Sequence, residues 1–384
     1  MYFTFTELCR ASLNNRLPLL SIRSRRTIAI CCSIVFIATF TLTVHTVKRQ
    51  NYSFLNFAFT TSSPPPKELH VILMTYARGG SSFLGDLLQS HPSVFYLFEP
   101  LHYFGSEIVL PQIPTSRQFL SDIFRCNFKN WDSFMIWAKQ NVEYKNLQRN
   151  NRFWTACSLG KNQKKCYDVH FITSFCQRYL IKVVKAIRFS LNQVEEILEK
   201  NKDLNLKIIH MIRDPRGIMK SRLMEKAVIV WCQKSLCSDS RSLCTQITDD
   251  LTYACEIKAK FPGKYKLLRY EDLAQKPLET ARDIFQFLGE KSLPEEVTKF
   301  LASHTKVTKF PVTKEKLLWE YTTFRNSSAT AVSWVKELPF DSILKIQSNC
   351  KDVFNRMSYI NLNTFSQINY TIPFKETFDE NNVC

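Results

Sequence analysis

The chain has 384 residues, 45% hydrophobic, 13% aromatic and 22% charged, with a formal net charge of +18. That composition excludes a disordered or low-complexity protein and suffices for one large domain or two small ones. An isoelectric point near 9.3 calls for anionic partners such as nucleic acid, lipid head groups, phosphonucleotides or acidic glycans; Lys and Arg are spread along the whole chain, so charge alone locates no site.

The first element is not globular. Thr27 to Val47 is an uncharged, mostly apolar run about as long as a bilayer requires. Arg10, Arg16, Arg23, Arg25 and Arg26 precede it and only Lys48 and Arg49 follow closely, which predicts a cytosolic N-terminus and a single-pass type II protein. The rival reading is a cleaved signal peptide; the long basic region before the run, and no small-x-small site after it, weigh against that. The chain then divides into a cytosolic tail (1–26), a signal anchor (27–47), a stem (48–67) with Pro64-Pro-Pro66, a lumenal body (68–365) and a C-terminal tail (366–384). Ten cysteines follow the anchor, an even set that predicts disulfides in an oxidising compartment, with connectivity open. Cys232, Cys237, Cys244 and Cys255 are close enough in sequence to raise zinc, but they lack Cys-x-x-Cys spacing and a neighbouring His. Sequons at Asn51, Asn326 and Asn369 fit lumenal exposure, and a lumenal body argues against nucleic acid.

The body opens with Leu69–Met74, an apolar run that reads as a buried strand. A small-residue loop carrying Arg78 joins it to a helix over Ser82–Ser90. Gly79 and Gly80 let the backbone approach a phosphate, while N–H groups and the positive end of the helix dipole face it. The loop lacks Gly-x-x-x-x-Gly-Lys-Ser/Thr, which argues against an ATPase or GTPase. Val94–Leu97 reads as the second strand, with Glu99 just beyond its end, and Leu180–Lys185 as the third, with Arg188 past its end. A helix over Ser190–Lys200 leads to a strand over Lys207–Ile212 and then to Arg213-Asp214-Pro215-Arg216. Pro215 suits the first turn of a helix over Gly217–Lys226, and Ser221 lies about two turns along it. Arg213 and Ser221 thereby converge on a second phosphate; two anion sites at two strand ends suit a nucleotide phosphorylated at both ends. Helices over Ser242–Ala259 and Leu278–Leu288 flank a fifth strand, Tyr265–Arg269. Alternating strands and helices predict an α/β fold, a P-loop-like, mostly parallel sheet flanked by helices and preceded by one transmembrane helix. Ligands then bind beyond the strand C-termini.

At Arg78-Gly-Gly-Ser-Ser-Phe83 and Ile212-Arg-Asp-Pro-Arg216 the chain resembles the Golgi carbohydrate sulfotransferases, in particular the galactose/N-acetylglucosamine/N-acetylgalactosamine 6-O-sulfotransferase family. Phe98-Glu-Pro100, Arg125-Cys126, Arg269-Tyr-Glu-Asp-Leu273 and Arg325-Asn326 with Trp334 match in the same order between Leu69 and Leu362. Gly79 stands where that family usually has Ser, Val335 where it often has Arg, and the segment Leu223–Cys244 is short. The resemblance implies the sulfotransferase fold and a 3'-phosphoadenylyl sulfate donor, bound by Arg78, Gly79, Gly80, Ser81, Ser82, Phe83, Leu84, Arg213, Asp214, Pro215, Arg216 and Ser221. It implies a glycan acceptor on a glycoprotein or proteoglycan, a Golgi membrane location, and no metal, since Arg78 and backbone amides supply the positive charge. Charge builds on the leaving phosphate oxygen in the transition state, where such donors act. The acceptor hydroxyl calls for a general base, for which Glu99 is the first candidate and His102 the rival. Arg188 reads equally as a ligand contact or an ion pair. Glu271 or Asp272 reads as a helix cap, Ser81 as a cap or a ligand contact, and Trp334 as core or part of a lid. The readings left open are another acceptor (protein tyrosine or a different sugar position) and a non-enzymatic, nucleotide- or glycan-binding pseudoenzyme.

Overall fold

Five apolar runs form five strands: β1 (Leu69–Met74), β2 (Val94–Leu97), β3 (Ile181–Ala186), β4 (Leu206–Ile212) and β5 (Tyr265–Arg269), and every residue in them except Lys207 is buried. Near-continuous burial is what a parallel sheet covered on both faces requires. The strand order is β2-β3-β1-β4-β5 and every pairing is parallel. The computed structural model describes residues 67–159, 163–225, 232, 236–305, 323, 326–369 and 372–384. The expected anchor Thr27–Val47, the tail before it, the stem up to Pro66, Arg325 and the end of the helix expected to reach Lys226 lie outside the described residues. Among the described residues no helix is long and apolar enough to cross a membrane.

Helix α1 (Ser81–Ser90) connects β1 to β2. Four helices fill the long stretch between β2 and β3: α2 (Ile113–Phe124), α3 (Asp132–Gln140), α4 (Asn151–Ser158) and α5 (Val169–Cys176). Helix α6 (Leu191–Lys200) leads to β4; α7 (Pro215–Met224) and α8 (Ser240–Lys260) lead to β5; α9 (Tyr270–Gln275), α10 (Pro277–Leu288) and α11 (Glu295–His304) follow it. Strand residues alternate between two cores. Ile72, Val184 and Ile208 pack with Leu120, Val194 and Ile247 of α2, α6 and α8. Val71, Val183 and Ile209 pack with Leu84, Leu88 and Ile284 of α1 and α10.

All ten cysteines of the body and tail pair as disulfides: Cys126–Cys176, Cys157–Cys166, Cys232–Cys237, Cys244–Cys350 and Cys255–Cys384. The four cysteines that raised zinc are thus taken by three different bridges, two of them reaching the C-terminal region. Residues 372–384, expected as part of a tail, pack onto the sheet. Phe374 and Val383 are buried, and the Glu380 carboxylate accepts the Leu267 N–H of edge strand β5 at 2.9 Å. Covering an edge amide in this way blocks further strand addition.

Candidate active site

Two loops meet at the C-terminal ends of β1 and β4. In the first, Arg78 and Gly80 both take left-handed backbone angles, with φ 72° and 88°. Gly80 is the N-cap of α1, so Ser81 is the first helical residue and not the cap. A Cβ on Gly80 would stand 2.3 Å from the Tyr270 ring, so only glycine fits there. The Phe83 N–H donates to the Gly80 carbonyl at 3.1 Å and the Gly79 N–H to the Tyr76 carbonyl at 2.8 Å. The amides of Gly80, Ser81 and Ser82 have no partner among the described residues, which leaves three N–H groups at the positive end of α1. The Phe83 and Leu84 side chains point into the core.

Three arginines hold this loop. Arg213 Nη1 donates to the Arg78 carbonyl at 3.1 Å, and Arg222 Nε donates to the Ala77 carbonyl at 3.1 Å. The Arg213 guanidinium lies 4.7 Å over the Tyr270 ring, so Tyr270 is held between it and Gly80. Arg213 Nε is buried without a hydrogen bond, an unmet donor at the strand end. Arg78 itself donates from Nε to Ser221 Oγ at 2.6 Å and from Nη2 to the Glu225 carboxylate. Arg78, Arg213 and Ser221 therefore do come together. Sequence reasoning missed Glu225, although it lies four residues after Ser221 and so on the same face of the helical turn. It also missed Arg222, and it gave Tyr270 no role beyond its place in the matching patch Arg269-Tyr-Glu-Asp-Leu273.

Asp214 and Arg216 belong to the interior. Asp214 caps α7 by accepting the Arg216 N–H at 2.8 Å and pairs with the Arg216 guanidinium at 2.7 Å, both side chains being fully buried. Arg216 also donates to Gln347 Oε1, the Ile360 carbonyl and the Pro373 carbonyl, and lies 4.1 Å over the Trp334 ring. The nucleotide contact expected of Arg216 gives way to a rivet between α7 and the C-terminal region, because every polar face of the side chain meets protein. Pro215 and Trp334 are buried with it. Glu271 does not cap α9 either. It is buried in the first turn, accepting the Asp214 N–H at 3.1 Å and the Tyr359 hydroxyl at 3.0 Å, and burial beside Asp214 pushes it up to about 7.

The other half of the site lies at β2 and β3. Their pairing ends with Leu97 opposite Val184, which brings Glu99 to the level of the β3 terminus. Glu99 has φ 45°, uncommon for a residue with a Cβ, and Asn146 Nδ2 holds it there by donating to the Phe98 carbonyl at 3.0 Å and the Glu99 carbonyl at 2.9 Å. Lys185 Nζ meets Oε1 at 2.7 Å and Arg188 Nη1 meets Oε2 at 2.8 Å. Burial works against ionisation of Glu99, but Lys185 and Arg188 outweigh it and hold the carboxyl at about 2. Burial in turn lowers the Lys185 ammonium. Arg188 is thus an ion-pair partner of Glu99, with its Nε buried and unbonded. His102 sits in a short helical turn, Pro100–Phe104, where burial and then Arg188 pull its imidazole down to about 4, so it is neutral. Between the start of α6 and the first turns of α8 runs a polar groove of about 730 Å³, lined by Asn192, Arg241, Gln246, Asp249 and Tyr253 among others. Its floor, Asp250, accepts the Tyr76 hydroxyl of the first loop at 2.8 Å and the Leu191 N–H at 2.7 Å. Among the described residues no group of three or more His, Cys, Asp or Glu side chains is arranged to hold a metal ion.

The model of the sulfotransferase domain matches residues 68–358. Carbohydrate sulfotransferase 1 of Danio rerio is 27% identical over 339 residues, covering 78% of this chain and 79% of the relative. Carbohydrate sulfotransferase 5 of Homo sapiens is 27% identical over 335 residues, covering 78% and 80%. Among solved structures, the sulfotransferase domain from the curacin biosynthetic pathway aligns with a TM-score of 0.43 at 18% identity, covering 77% of this chain and 99% of that one.

Proposed function

The chain belongs to the sulfotransferase domain family, and from that premise we propose that it moves a sulfuryl group from 3'-phosphoadenylyl sulfate to the 6-hydroxyl of a galactose, N-acetylglucosamine or N-acetylgalactosamine in a glycan. The observation that carries this reading is that Arg78, Ser221 and Arg213 meet at the ends of β1 and β4, in the loop whose next three amides have no partner among the described residues. The carbohydrate sulfotransferases named above, similar over most of the chain, support a sugar as acceptor. The anchor run Thr27–Val47 and the five disulfides support a lumenal body on a type II Golgi anchor.

In this reading the amides of Gly80, Ser81 and Ser82, with the Arg78 guanidinium, meet the phosphosulfate. They stabilise the charge that grows on the leaving phosphate oxygen as its bond to sulfur breaks. Donor oxygens replace the Glu225 carboxylate on Arg78. Arg213, through its unmet Nε, and Ser221 take the 3'-phosphate. As the acceptor oxygen bonds to sulfur, its proton passes to the Glu99 carboxylate, and the bisphosphonucleotide departs with the former bridging oxygen. A carboxyl near 2 is always ionised but weakly basic. Two cations make it so, and an anionic sulfuryl group that draws Arg188 toward itself restores basicity to Glu99 when the donor is present. The low value of Glu99 also favours a second reading, in which the neutral imidazole of His102 takes the proton.

Incubation with radiolabelled donor and a panel of sugars and tyrosine peptides tests the function, with chelator in half the reactions. Label at a sugar 6-hydroxyl, insensitive to chelator, is the expected result. Donor binding with label passed only to tyrosine, or to nothing, overturns it. Protease protection of the body in sealed microsomes tests the topology.

A further inference from the structure

We infer that the acceptor sugar docks on an aromatic ledge made by His102, Trp137 and Tyr144 beside Glu99. The inference rests on the proposed glycan acceptor and assigns it a subsite. The Tyr144 ring lies 3.9 Å from the His102 ring and 5.7 Å from that of Trp137, stacked on the latter at 23°. His102 and Trp137 are 5.9 Å apart. The three rings come from separate pieces of chain: the turn Pro100–Phe104, α3 and the turn Val142–Tyr144.

Two features tie the ledge to the chemistry. His102 is three residues past Glu99. Asn146, two residues past Tyr144, is the residue whose side chain clasps the Phe98 and Glu99 carbonyls. The ledge and the carboxylate are therefore positioned by the same contacts.

Two further features mark it as a surface awaiting a ligand and not as core. Phe119 and Phe134 nearby are fully buried, whereas Tyr144 is 38% exposed. The His102 imidazole and the Tyr144 hydroxyl make no hydrogen bond among the described residues. An aromatic face bordered by unpaired polar atoms matches a pyranose. The C–H face of the ring lies on the phenol, and ring hydroxyls reach the imidazole nitrogen and the phenolic oxygen. A hydroxymethyl group projecting from the edge of the stacked ring then has a route to Glu99.

Calorimetric titration with two probes tests this, on protein saturated with the desulfated nucleotide. One is a tetrasaccharide of alternating galactose and N-acetylglucosamine; the other is a tetrasaccharide of alternating N-acetylgalactosamine and glucuronate. The wild-type protein binds at least one of them. Tyr144→Ala weakens that binding by about 10-fold or more, from the lost aromatic face. Tyr144→Phe keeps it within about threefold, from one lost hydrogen bond. Nucleotide affinity is unchanged in both variants, which also shows that they fold. Ile136→Ala, at a 58% exposed position outside the ledge, changes neither. Equal oligosaccharide affinity in wild type and Tyr144→Ala, or no binding of either probe by the wild type, overturns the ledge. Ledge-dependent binding without label transfer leaves the ledge standing and overturns the transfer reading. Transfer with a KM indifferent to Tyr144→Ala does the reverse.

Discussion

The β1–β4 half of the site and the β2–β3 half solve opposite electrostatic problems. At β1 and β4 the loop gathers backbone amides and arginines, with Glu225 as the acid paired to Arg78, so an anion that displaces Glu225 gains contacts at once. At β2 and β3 two cations are already matched to one buried carboxylate, Glu99, and the pair is quiet until something perturbs it. The first half is built mainly from backbone geometry, fixed by Gly80, Tyr270 and the arginines on the Ala77 and Arg78 carbonyls. The second is built from side chains, fixed by Asn146. In the proposed reading the first half holds the donor and its leaving oxygen and the second takes the acceptor's proton, and mutation can test the two separately.

The largest effect belongs to the β2–β3 half. Glu99→Gln keeps the side chain's size but removes the proposed proton acceptor and one of the two acceptors that face Lys185 and Arg188, and turnover is expected to fall by roughly 10²–10⁴-fold with nucleotide affinity nearly unchanged. Because Lys185 and Arg188 are its partners, an altered nucleotide affinity in this variant would show instead that Glu99 merely restrains two donor-binding cations. Near-normal turnover promotes His102, for which His102→Asn is the next variant.

The β1–β4 half gives the converse pattern. Arg213→Ala weakens binding of the desulfated nucleotide by about 1.5–3 kcal/mol, and Ser221→Ala by less. If both groups hold one phosphate, as proposed, the double variant loses less than the sum. Calorimetry on the three variants checks this, and strict additivity would separate the two residues into different sites. Gly80→Ala attacks the same half through its backbone. A left-handed residue with a Cβ pressed against Tyr270 costs about 1–3 kcal/mol of stability and pulls the three amides off target, so thermal midpoint and nucleotide affinity fall together. Loss of stability with intact affinity would show that the amides do not bind the donor.

A pH effect on stability, with no expected effect on turnover, lies behind both halves, at Glu271. Its folded-state value of about 7 exceeds the ordinary carboxyl value of 4.5, so between those two values the folded protein holds more protons than the unfolded chain. Stability contributed by this group therefore declines as pH rises through that window. Glu271→Gln, a neutral mimic, should flatten the decline, which urea unfolding at pH 5 and pH 8 measures. An unchanged slope would place the ionisation elsewhere.

The two halves also differed in how much their sequence disclosed. The strands were legible because a two-sided buried strand is an unbroken apolar run; β1, β2 and β5 fall where the runs place them, β4 starts one residue earlier, and β3 is displaced by one. The Arg78 and Arg213 loops were legible because glycines and a helix-starting proline punctuate them. Glu225 follows from helical spacing once Ser221 is recognised, and was passed over. Tyr270 could not be read as a wall of the first loop, since its contact with Gly80 exists only once β5 lies beside β4. Helices α2 to α5 went unread although they carry apolar faces, since they fill the long stretch between β2 and β3 where no strand alternates with them. Arg216 illustrates the opposite error. A motif position suggests a ligand contact, whereas complete burial against Asp214, Trp334 and two distant carbonyls shows an internal support.

That support has a kinetic corollary. Synthesis proceeds from the N-terminus at a few to some twenty residues per second, and domains tend to fold as they emerge. Here the buried charge of Arg216 is completed by the Pro373 carbonyl, the edge of β5 by Glu380, and α8 by the Cys255–Cys384 bridge across a separation of 129 residues. None of these closures can form on a nascent chain that ends before residue 373. Until then the sheet offers an open edge and the Arg216 guanidinium, though paired with Asp214, lacks one of its buried acceptors, a state that chaperones and disulfide isomerases would hold. Small truncations or frameshifts near residue 373 should therefore act as failures of maturation, removing the protein before its chemistry is ever tried.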